Sequence, residues 1–165
     1  MALRRAITQE QQRLLIAKWY VPHHRRLANV ANAILNQYGR ALLIDAHSFP
    51  SKPLPYETNQ GQDRPDICIG TDEFHTPKAL EAAFLDAFAV AGFNVRCNFS
   101  FEGALVPLEH YRTDARLSAI MIEVNRSLYL DETTGLGNTR FDEIRGKISE
   151  CIHRAIQNWQ VSISS

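Results

Sequence analysis

The apolar positions of this chain change their period several times. In the first forty residues Leu14, Leu15, Trp19, Leu27, Val30, Ile34 and Leu35 recur at helical spacing, behind a Thr8 and Gln11 pair spaced as a capping box. Pro22 falls inside that pattern. Proline lacks an amide proton and crowds the preceding turn, so the helix should kink or restart near "YVPHH". Gly39 is placed to close it. "ALLID" (41–45) and "DICIG" (66–70) are short continuous apolar runs, as expected of strands covered on both faces. Between them "SFPSKPLPYETNQGQDRP" holds four prolines among many polar residues. Loops of that length tend to be functional or mobile, which makes this one a candidate lid.

The second half repeats the alternation. Thr76 and Pro77 make a helix start, with Leu80, Ala83, Phe84, Ala87 and Phe88 on one face and a stop at Gly92. "FNVRC" reads as a strand, a second long loop covers 98–116, and "LSAIMIEVN" (117–125) reads as a core strand ending near Glu123. A last helix, started by Asn138 or Thr139, carries Phe141, Ile144, Ile148, Ile152, Ala155 and Trp159 on one face. Strands alternating with helices predict an α/β fold: a mostly parallel or mixed sheet with helices on both faces. The 165 residues suit one domain spanning 1–165.

Composition narrows the partners. Lysine plus arginine and aspartate plus glutamate number 18 each, so no basic field points to nucleic acid. No stretch nears the roughly 18 apolar residues that span a bilayer, so a soluble, cytoplasmic protein without membrane partners is expected. Cys68, Cys97 and Cys151 lack metal-binding or disulfide-scaffold spacing and are expected to be reduced and buried.

In open parallel sheets ligands bind beyond the carboxyl ends of strands. Three such ends carry polar residues: Asp45 to Ser48, Asn98, and Glu123 to Arg126. A histidine two residues past an aspartate suits metal binding, one ring nitrogen ligating while the carboxylate fixes the other; it equally suits a hydrogen-bonded loop histidine. Glu123 can serve as a general base, pair with Arg126, or cap the next turn. His23 and His24 are adjacent, roughly 100° apart on a helix, and so do not bind one ion together. His75, His110 and His153 are expected in solvent. No nucleophile elbow, Walker loop, dinucleotide-binding turn or HExxH helix is present.

In order along the chain, "WYVPHHRRL", "GRALLIDAHSFP", "RPDICIGT", "GFNVRCNFSFEGALV" and "AIMIEVNRSLYLDE" resemble the N-formylglutamate amidohydrolase family, from about residue 10 to about residue 155. The resemblance implies a zinc-dependent hydrolase, with a fold similar to the zinc carboxypeptidase and phosphorylase/hydrolase-like group, that releases formate from N-formylglutamate late in histidine degradation. By position His47 looks like the zinc-ligand histidine, Asp45 and Ser48 its support, and Glu123 the carboxylate that activates the metal-bound water. Arg126, Asn98, Asn125 and Tyr129 would hold the substrate carboxylates, and His24 would be a second ligand. The family's N-terminal segment, with its own early strands and a His-containing motif, is expected to precede the point where this chain begins, leaving a fold shortened at the N-terminus.

Two functions follow as expectations. The first is a metal-dependent amidohydrolase acting on a small N-acyl acidic amino acid. The second is a metal-free, non-catalytic relative serving as an anion-binding or interaction module. A homo-oligomer is a further expectation, because a shortened sheet leaves a strand edge open to pairing.

Overall fold

The computed structural model describes residues 6–57, 60–61 and 63–162. They form two compact units, one from the residues up to Ala41 with Val106–Leu117, the other from Leu42–Leu105 with the residues from Ser118 onward.

In the first unit, helix α1 (Gln9–Leu15) begins with the expected capping box: Thr8 Oγ1 accepts from the Gln11 amide, and the Gln11 side chain accepts from the Thr8 amide. The break at Pro22 takes a specific form. Ile16–Tyr20 widen into a π-helical turn in which the Val21 amide reaches back to the Ile16 carbonyl, and α2 runs on as Val21–Tyr38. Pro22 has no proton to offer one turn back, so the wider turn lets the helix continue where an α-turn would clash. Gly39 closes α2 at φ 75°, its amide 2.8 Å from the Leu35 carbonyl. Asn32 on α2 donates to Glu109 at 2.5 Å, tying the helix to the 106–117 segment.

The second unit is built on a four-stranded sheet of β1 (Ala41–Phe49), β2 (Ile67–Gly70), β3 (Val95–Cys97) and β4 (Leu117–Asn125), in the order β1-β4-β2-β3. β2 and β3 run parallel and β2 and β4 antiparallel, so the sheet is mixed. The connections explain this. β2 reaches β3 through helix α3 (Lys78–Val90), and such a crossover leaves strands parallel, whereas β3 reaches β4 through a loop without a helix.

β1 departs from expectation in two ways. It stands at the end of the strand order, and only Ala41 and Phe49 are buried along it; it is not the wholly covered strand its apolar start suggested. It also runs to Phe49, so Asp45, His47 and Ser48 lie within the strand and not beyond it. An edge strand needs no continuous apolar cover, and its polar residues extend the pairing until Pro50.

Register divides the faces. Ile67 pairs with Val124 and Ile69 with Ile122, and the two isoleucines of β2 pack with Ile120 and Ile122 beneath Leu80, Phe84 and Phe88 of α3 and Cys151, Ala155 and Trp159 of helix α4 (Phe141–Ser162). Cys68 pairs with Glu123 and Gly70 with Met121, which turns these four side-chain positions to the opposite face. Thr76 donates to the Ala119 carbonyl at 2.6 Å and fixes the start of α3 against β4. The helix begins one residue later than Pro77 suggested.

Candidate functional site

Glu123 is the anchor of the face turned away from α3 and α4. Its position on central β4 leaves it only 7% exposed, and its Oε2 is buried without a hydrogen-bond partner among the described residues. Burial pushes its carboxyl above the ordinary carboxylate range; the charges of His47, Arg126 and Arg64 pull it back, while Asp45 pushes it further up. Asp45 and His47 alternate on β1 and meet: Asp45 Oδ1 lies 2.7 Å from His47 Nε2. Asp45 Oδ2 accepts from the Leu105 amide at 3.1 Å, so both its oxygens are engaged. A proton held on Nε2 by the carboxylate leaves the Nδ1 lone pair of the half-exposed His47 as the ring's remaining donor atom.

Arg126, just past β4, donates from Nε to Ser48 Oγ at 3.1 Å and from Nη2 to the Ser48 carbonyl at 3.0 Å. β1 and β4 therefore finish side by side, with His47 and Glu123 near the same end of the sheet. Other residues assigned to substrate are occupied by the fold. Asn98, at φ 49°, spends its side-chain amide on the Thr71 amide and hydroxyl. Asn125 caps the turn after β4 by accepting from Ser127, and donates to the Pro65 carbonyl. Tyr129 lies edge-on to Phe141 in a groove of about 220 Å³, lined also by His47, Val124, Ile144, Arg145 and Ile148.

His24 belongs to the first unit, where it lines a separate groove with Val21, Arg25, Ala28, Leu108 and Glu109. Among the described residues no group of three or more His, Cys, Asp or Glu side chains is gathered to hold a metal ion. A catalytic zinc takes three protein groups plus water. His47 Nδ1 and Glu123 supply two donors, and Asp45 is already committed to His47 and Leu105. The described residues alone do not fit a zinc site.

Two histidines expected in solvent are buried. His75, 1% exposed, packs beside Phe74, and its carbonyl accepts from Ala119. His110, 7% exposed, lies between Glu109 and Asp114. Both sit in polar loop sequence, where hydropathy gives no sign of burial. Arg64 escaped notice for the same reason. Its guanidinium is packed 4.9 Å from the Phe49 ring and 5.5 Å from Phe101, donates to the Pro50 carbonyl, and meets Glu57 at 2.6 Å. Arg64 thus ties Pro50 and Glu57 together, and part of the candidate lid, residues 58, 59 and 62, lies outside the described residues. Burial raises the Glu57 carboxyl, but hydrogen bonds from Arg64 and the Leu54 amide outweigh it and hold the group below its ordinary value. Glu57→Gln should cost on the order of 1 kcal/mol, lost from wild type as acid protonates Glu57, and should speed amide exchange at Leu54 and Glu57. Unchanged exchange would rule out the clamp.

The sequence profile of the N-formylglutamate amidohydrolase family matches residues 2–130. N-formylglutamate deformylase of Pseudomonas aeruginosa is 29% identical over 126 residues, which are 75% of this chain and 46% of that protein. The crystal structure of N-formylglutamate amidohydrolase from Ralstonia eutropha JMP134 superposes with a TM-score of 0.71 at 19% identity, covering 97% of this chain and 56% of the other. A protein from Agrobacterium tumefaciens superposes with a TM-score of 0.66 at 20% identity, covering 96% and 57%. The chain spans about half the length of these relatives. No described helix is long and apolar enough to cross a membrane.

Proposed function

Because the chain belongs to the N-formylglutamate amidohydrolase family, we propose that it hydrolyses the amide bond of a small N-acyl amino acid, with N-formylglutamate the first compound to assay. The observation that carries this reading is the buried Oε2 of Glu123, without a hydrogen-bond partner among the described residues and near the Asp45 and His47 pair. A carboxylate so placed accepts a proton from an attacking water and returns it to the departing nitrogen, and a raised pKa suits it to both steps. Asp45 holds the His47 ring through Nε2 and leaves Nδ1 as its other nitrogen. Arg126 keeps the ends of β1 and β4 together through Ser48, which fixes the distance between histidine and glutamate.

Zinc would polarise the carbonyl and acidify the water. The described residues do not gather a donor set for it, so the proton transfers above are assigned to Glu123 alone. The incomplete donor set also supports the second reading, a relative that binds small carboxylates without hydrolysing them. Formate release from N-formylglutamate, measured beside zinc content per chain, decides between them. Turnover with near one zinc, both lost in His47→Ala, supports the hydrolase. No turnover after incubation with excess zinc leaves the binding module.

A further inference from the structure

The groove beside His47 has hydrocarbon walls, Val124, Phe141, Ile144 and Ile148, with Tyr129 edge-on to Phe141. Its other lining side chains are His47 and Arg145, so with the Tyr129 hydroxyl three groups able to donate a hydrogen bond border it, and among the described residues no carboxylate does. Apolar walls with a few placed polar groups are the usual makings of a small-molecule site, and this set of donors favours an anion on a hydrocarbon stem. The volume of about 220 Å³ exceeds the roughly 150 Å³ of an apolar cavity that accepts benzene, so a stem of a few methylenes fits. Arg145 stands near the start of α4 with its side chain 72% exposed, and its contact is Asp142 Oδ1, 3.0 Å away on a side chain itself 83% exposed. An exposed pair of this kind holds little energy and yields readily to another carboxylate. Arg126, Asn98 and Asn125, assigned by resemblance to substrate carboxylates, are instead engaged with Ser48, Thr71, Pro65 and Ser127.

We infer that Arg145, with the Tyr129 hydroxyl beside it, recognises the side-chain carboxylate of an N-acyl glutamate, whose methylenes lie against the hydrocarbon walls of this groove. The proposal rests on the reading of a small N-acyl amino acid as ligand, and it moves the choice of side chain from Arg126, Asn98 and Asn125 to Arg145. A guanidinium meets a carboxylate through two parallel hydrogen bonds, whereas an amide of the same shape offers it one acceptor oxygen and turns a competing donor toward it. The methylene stem gains by leaving water for Ile144 and Ile148, while the charge stays at the exposed margin where Arg145 stands and keeps its hydration. His47 is the residue that the groove shares with the candidate site. Glu123 pairs with Cys68 and faces the other side of the sheet from Val124, so it holds no part of this group.

Titration calorimetry of the full chain with N-formyl-L-glutamate and N-formyl-L-glutamine, which share a shape and differ in one charge, reads this recognition directly. Wild type should bind the glutamate compound at least roughly tenfold more tightly, the effect of one hydrogen bond to a charged group. Arg145→Gln should bring the two affinities together, Arg145→Lys should restore part of the difference, and Tyr129→Phe should narrow it severalfold. Arg145 is exposed on α4, so its variants should melt at the wild-type temperature. Where the compounds turn over, the ratio of their kcat/KM values is read in place of affinity. Equal affinities in wild type, no binding of either compound, or an undiminished preference in Arg145→Gln overturns the inference. Formate release is scored separately. A preference that depends on Arg145 without turnover supports the groove and sinks the hydrolase reading. Turnover whose preference for N-formylglutamate ignores Arg145 sinks the groove and keeps the hydrolase.

Discussion

Under the proposed hydrolase activity, Glu123→Gln should remove most formate release while making the folded protein more stable at neutral pH. The expected loss in turnover is about 10²–10⁴-fold, the range supplied by a positioned general acid or base. The stability change has a definite sign. Burial raises the Glu123 carboxyl above 4.5, so the folded state holds that proton more tightly than the unfolded chain does. The resulting stabilisation is fully present below pH 4.5 and is lost as pH climbs through the raised value. Above it the buried carboxylate is a standing cost that glutamine does not carry. Denaturation of both proteins across pH should therefore show a gap favouring the variant near neutrality that closes in acid. A variant less stable than wild type at neutral pH would mean that Glu123 is held by partners that offset its burial, and would remove the basis for its role. Activity and stability opposed at one residue is the usual mark of a site kept for chemistry.

Gly70→Ala should unfold at lower urea concentration, with a loss of about 1–3 kcal/mol, the cost of forcing atoms into a packed interior. A Cβ at Gly70 would overlap the Met121 side chain and stand 2.5 Å from the Gly103 carbonyl. Methionine can move aside, but backbone cannot do so cheaply. Gly103 sits at φ 88° and its amide bonds to the Thr71 carbonyl, two residues before the Leu105 amide that holds Asp45. Displacing this loop should loosen Asp45 and with it His47, so turnover should fall further than the stability loss accounts for when assayed well below the midpoint. Full turnover in a destabilised but folded variant would uncouple the loop from the site.

Much of this was legible in the residues. The capping box at Thr8, the stop at Gly39, the strands around Ile67 and Leu117 and the stripe on α4 follow from local rules of spacing and backbone chemistry. So did the pairing of Asp45 with His47, since alternate positions share a face of a strand. What local pattern cannot carry is which strand lies at an edge, and β1 was misjudged for that reason. Apolar letters say that a segment prefers cover; the strand order decides whether cover is present. The engagement of Asn98 and Arg126 was equally invisible, because Thr71 and Ser48 lie 27 and 78 residues away along the chain. A polar residue after a strand looks free until its distant partner is known.

The π-helical turn before Pro22 bears on how the first helix presents its surface. One residue added to a turn advances everything on one side of it by roughly 100° relative to the other. The stripe that reads as continuous from Leu14 to Leu35 is therefore two stripes out of phase. Ahead of the turn Leu14 and Trp19 stand 62% and 63% exposed; past it Val30 and Ile34 are exposed as well, and cover falls on Ala28, Ala31 and Leu35. The proline acts as a phase shifter, so that a single helical segment addresses two directions with one set of hydrophobic residues.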